Sequence, residues 1–96
     1  MDFFLKHLEE TLEAINKLIE NNINIVNTKR IRRCYNIKPS DRSKINFIWR
    51  TLKYLAEPDK GILQKDGKSA PLNYKIIPKE KIDVKEFIDS IKKKIE

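Results

Sequence analysis

Leu5, Leu8, Leu12, Ile15 and Ile19 recur at alternating spacings of three and four, with Asp2, Glu9, Glu10, Glu13 and Glu20 between them. That spacing predicts an amphipathic helix over residues 2–21, closed by the pair Asn21-Asn22. The run Ile23-Asn24-Ile25-Val26 is too short for a helix and suits a brief strand, after which Asn27 or Thr28 can cap a second helix over residues 29–36. In that helix Ile31, Cys34 and Tyr35 share one face and Lys29, Arg30, Arg32 and Arg33 the other. Pro39 breaks the chain at Lys38, and Ser40 is a suitable N-cap for a third helix over residues 41–56. At about 100° per residue, Ile45, Ile48, Trp49, Leu52 and Leu55 fall on one side of it, while Arg42, Asn46, Arg50 and Lys53 fall on the other. Phe47 and Tyr54 flank the polar stripe.

The segment 57–61, with Gly61 at a position suited to positive φ, ends this helix. Residues 62–65 and 72–77 read as strands of a hairpin around the Asp66-Gly67 turn signal, with Leu72, Tyr74 and Ile76 facing one way and Asn73 and Lys75 the other. Asp83 and Glu86 have the spacing of a capping box and open a last helix over residues 83–95, with Val84, Phe87, Ile88, Ile91 and Ile95 as its apolar stripe. The whole of 1–96 is expected to be one α+β, mostly helical domain with one core.

Charge sharpens the picture. All five arginines (Arg30, Arg32, Arg33, Arg42 and Arg50) lie in one window, whereas the sixteen lysines run from end to end. Residues 23–56 carry nine Lys/Arg against Asp41 alone, while residues 1–22 are net acidic. Arginine presents a planar fork that fits phosphate and the guanine edge, so its concentration marks this window as functional.

Helix, short strand, helix, tight turn, helix, hairpin, helix is an order that resembles winged helix-turn-helix DNA-binding domains, over nearly all of the chain. The resemblance implies a three-helix core, a two-stranded β-hairpin wing and an additional C-terminal helix, with Ser40 and the helix after it as recognition element. Arg42, Ser43, Asn46 and Arg50 are then the expected base contacts, because Arg can bridge guanine and Asn adenine in the major groove. Lys29, Arg30, Arg32, Arg33, Lys44 and Lys53 are expected at phosphates, and Lys65 and Lys68 on the wing. The apolar stripes of helices 2–21 and 83–95 suggest a homodimer of the kind formed by small transcription regulators of the family.

Other chemistry finds little footing. One histidine, His7, and one cysteine, Cys34, give no metal-ligand cluster or nucleophile set, and two glycines cannot form a phosphate-cradling loop. Cys34 is expected to be a small buried hydrophobe and His7 a surface residue. The chain is therefore expected to be a cytoplasmic, non-enzymatic, cofactor-free protein without a membrane segment. Its expected partner is double-stranded DNA, with transcription regulation as its role. The rival readings are a module that docks an acidic protein and a replication- or chromatin-associated DNA binder with little sequence preference.

Overall fold

A computed structural model describes residues 3–66 and 73–95. The elements run α1 (Phe3–Glu20), β1 (Ile25–Val26), α2 (Thr28–Cys34), α3 (Arg42–Leu55), β2 (Leu63–Asp66), β3 (Asn73–Ile76) and α4 (Val84–Ile95). The fold is α+β, with four helices and a small antiparallel sheet among the described residues. The brief strand joins the hairpin: β1 pairs with β3, giving the order β1-β3-β2 and the registers Val26 to Tyr74 and Leu63 to Ile76. Asp66, placed by its dipeptide in the turn, is instead the last residue of β2, opposite Asn73. The remaining turn positions, with Lys68 and Leu72, lie outside the described residues.

Asparagine sets three helix boundaries. Asn22 and Asn36 adopt positive φ, 60° and 53°, just beyond α1 and α2. In each case the next residue donates back across the last turn, Ile23 N to Leu18 O at 2.9 Å and Ile37 N to Arg32 O at 3.0 Å. These are left-handed closures that asparagine tolerates better than most residues. Asn27 begins α2: its Oδ1 accepts from Arg30 N, while its amide donates to Asn73 Oδ1 on β3 at 2.9 Å. The cap of α3 is Asp41, not Ser40, because the Asp41 carboxylate accepts from Lys44 N at 3.3 Å. Asp83 caps α4 through Glu86 N at 3.1 Å.

One cluster holds these elements together. Leu5, Leu8, Leu12, Ile15 and Leu18 of α1 are buried, and against them lie Val26, Ile31, Ile48, Leu52, Leu55, Leu63, Tyr74, Ile76, Ile88 and Ile91. α1 is thus the shared wall of the core. Beside the cluster, Asn16 binds the backbone of Ile82 at both its amide and its carbonyl, 2.7 and 2.9 Å, and so fixes the chain entering α4. The stripes expected at a dimer contact pack within this core: Leu5, Leu8, Leu12, Ile15 and Ile19 of α1 and Val84, Phe87, Ile88 and Ile91 of α4 are buried or packed against it, while Phe3 at the start of α1 is exposed.

The buried face of α3 is Ile48, Thr51, Leu52 and Leu55, displaced from the expected face toward Thr51 and away from Trp49. Thr51 is fully buried and shares a 2.9 Å hydrogen bond with the equally hidden Thr11 of α1, also donating to Ile48 O at 2.8 Å. Phe47 stacks on His7 with 4.4 Å between ring centroids, and Tyr54 meets Phe4 edge to face at 5.4 Å. Trp49, expected in the core, is turned out and remains 43% exposed. His7, expected on the surface, is half-buried by the Phe47 stack, and Cys34 is half-buried.

Candidate nucleic-acid interface

The outward side of α3 follows from that phase. Arg42, Ser43, Asn46, Arg50 and Lys53 are all exposed, and Arg42, Asn46 and Arg50 follow each other at successive four-residue steps. Side chains at that spacing stack along one helix face, so the helix presents a single polar stripe with cations at both ends. Neither α2 nor α3 contains an acidic residue. The nearest carboxylate in the sequence is Asp41, occupied by its cap and by a 4.0 Å contact with Lys44. Lys44, expected at a phosphate, is exposed and carries that surface pair, which is weak enough in water to be exchanged for another anion.

The side chains of Arg42 and Arg50 make no ion pair or hydrogen bond among the described residues, and neither do those of Lys29 and Arg33 of α2. Lys53 instead stands over the Trp49 ring, 5.1 Å from its centroid. These cations therefore contribute nothing by pairing to the fold, and like charges on adjacent helical turns mildly oppose it. They are free for an external anion.

Two arginines of α2 have internal roles that charge alone did not reveal. Arg32 is half-buried and donates through Nη1 to Ile37 O at 3.1 Å, bracing the turn that follows α2. Arg30 is exposed but donates to Ile25 O at the start of β1, also at 3.1 Å. Each guanidinium has five N–H groups, so these bonds orient it without exhausting it. Lys29 and Arg33, one turn apart and both exposed, form the unencumbered part of this face.

Tyr35 joins α2 to α1. Its hydroxyl donates to Glu10 O at 2.6 Å, and its pKa is pushed up to about 12, first by burial and then by the negative charges of Glu13 and Glu10. On the hairpin, Lys65 is exposed and opposite Tyr74, so it shares the sheet face of Leu63 and Ile76 that packs on the helices. Lys75, not singled out from the sequence, is exposed on the other face opposite Gln64.

Two apolar-lined surface grooves lie apart from Arg42, Asn46, Arg50 and Lys53. One runs between the end of α1 and β3, lined by Ile19, Ile23, Ile76 and Ile77; another lies beside Phe3, His7, Tyr35 and Ile37. The basic stripe itself is a convex helix surface, a shape that enters a groove and does not enclose a small molecule. Among the described residues no group of three His, Cys, Asp or Glu side chains comes together as a metal site. No helix there is long and apolar enough to cross a membrane. No protein-family model matches the chain, and no curated protein or solved structure matches it.

Proposed function

We propose that the chain is a winged-helix domain that binds double-stranded DNA and regulates transcription by reading the major groove with α3. The observation that carries this reading is the stripe of Arg42, Asn46, Arg50 and Lys53, exposed and without carboxylate partners among the described residues. Arg42 and Asn46, near the helix start, enter deepest and meet base edges together with Ser43. Arg50 reaches bases or phosphates, and Lys29, Arg33, Lys44 and Lys53 neutralise phosphates. Arg30 and Arg32 assist only with the N–H groups their carbonyl bonds leave over. The pairing of β1 with the hairpin supports the winged-helix reading, since it ties a wing to the helical body, with Lys65 at its helix-facing side.

The homodimer is not part of this proposal, because the stripes that suggested it are used inside one chain. A single domain then contacts a single half-site.

Binding to selected and random duplexes over a salt series tests the reading. Affinity is expected to fall steeply with salt, because each neutralised phosphate releases counterions. Arg42→Ala or Asn46→Ala should cost about 1 to 3 kcal/mol on the preferred site and relax base choice, whereas Arg33→Ala should weaken all sequences alike and reduce the salt slope by about one. No binding even at low salt would sink the nucleic-acid reading in favour of an acidic protein partner. Equal losses on every sequence for all three variants would leave a DNA binder without sequence preference.

A further inference from the structure

Trp49 sits where neither the core nor a phosphate-binding surface needs it. It is 43% exposed on the outward side of α3, three residues from Asn46, four from Lys53 and seven from Arg42. Exposing that much indole to water is unfavourable, and the aromatic contact made on this side is with the Lys53 ammonium at 5.1 Å. Phosphate and sugar oxygens offer an apolar ring little. On the base edges of the major groove, however, one apolar group stands out, the C5-methyl of thymine.

We propose that Trp49 packs against thymine methyl groups in the major groove, so that α3 reads thymine by apolar contact beside the polar readout of Arg42 and Asn46. This rests on the reading of α3 as the major-groove helix. Arg42 and Trp49 are separated by roughly 10 Å along the helix axis, given about 1.5 Å per residue. That distance corresponds to about three base-pair steps, so the thymine lies about that far from the base met by Arg42. Lys53, held over the ring, restricts the indole before binding and carries charge to the same part of the groove.

The chain has one tryptophan, so indole emission reports on this residue alone. The experiment titrates the full chain with a short alternating adenine–thymine duplex and with the same duplex carrying deoxyuridine at every thymine. Only the C5-methyl differs, and it projects into the major groove. Wild type is expected to bind the thymine duplex roughly three- to fivefold more tightly per methyl contacted, the worth of one such group removed from water, with a change in indole emission. Trp49→Ala should bind both duplexes alike, and Trp49→Phe should keep part of the preference. Circular dichroism should show both variants folded, since the side chain is outside the core. Salt-dependent binding of wild type to both duplexes with equal affinity overturns the methyl contact and leaves the DNA-binding reading standing. A thymine preference that persists in Trp49→Ala overturns its assignment to this residue. No binding to either duplex at low salt overturns both proposals.

Discussion

At the scale of single residues, Tyr35 gives the fold a dependence on alkaline pH. Its phenol is neutral where it donates to the Glu10 carbonyl, and the folded state holds that proton up to about 12, against about 10 for an exposed tyrosine. Above pH 10 the unfolded chain therefore binds fewer protons than the folded one, and stability falls as pH rises. The contribution is fully present below about 10 and is lost between about 10 and 12. Burial raises Tyr74 as well, which adds to the same slope. Urea unfolding between pH 9 and 12 should accordingly show a shallower alkaline decline for Tyr35→Phe than for wild type. Identical slopes would mean that the Tyr35 phenol does not titrate differently in the two states. The place of Tyr35 on the face of Ile31 and Cys34 was legible in the sequence, although α2 itself ends one residue before it. The acceptor of its hydroxyl was not, because a backbone carbonyl twenty-five positions earlier leaves no side-chain signature.

Among the elements, the contact between α1 and α3 decides what the stripe displays. The buried Thr11–Thr51 bond favours this rotation of α3, since Thr51 also donates to Ile48 O within its own helix but the Thr11 hydroxyl is satisfied only if the two helices meet at that phase. Thr51→Val alone leaves the Thr11 hydroxyl without its partner on α3 and should lower stability by about 1 to 3 kcal/mol, whereas Thr11→Val with Thr51→Val should be nearly neutral. Chemical denaturation of the two single variants and the double one checks this; additive losses would show that the bond is incidental. The same contact explains where sequence periodicity succeeded. Apolar spacing located α1, α3 and α4, the Asn27 cap located α2, and Asn22 marked the end of α1, because these signals are local. Phase in α3 was misjudged because Trp49 counts as apolar and Thr51 as polar until a second threonine, forty residues away, is brought opposite. Arg32 was misjudged for a similar reason, since its Ile37 carbonyl partner exists only once the turn has formed.

At the scale of the whole molecule, the acidic and basic parts of the chain are divided between structural and displayed roles. α1 contributes the central apolar wall, and Glu20 pairs with Lys81, near the point where Asn16 holds Ile82. The cations of α2 and α3 largely lack such partners. With its apolar stripes buried internally, the chain should run as a monomer of 11.4 kDa in sedimentation at high concentration. A twofold mass would require a contact built from other surface, for which Phe3 at 75% and Ile77 at 48% exposure are the largest apolar candidates.

The central place of α1 also governs when the protein can fold during synthesis. α1 is made before any of its partners: Thr51 follows Thr11 by forty residues, and Ile82 follows Asn16 by sixty-six. At about 5 to 20 residues per second, its clamp on Ile82 is delayed by roughly 3 to 13 s. For about the first forty residues of that interval the stripe of Leu5, Leu8, Leu12 and Ile15 has no α3 to cover it, and until its end it has no α4. Native assembly is therefore a late event in translation, completed only after the residues of α4 have been made.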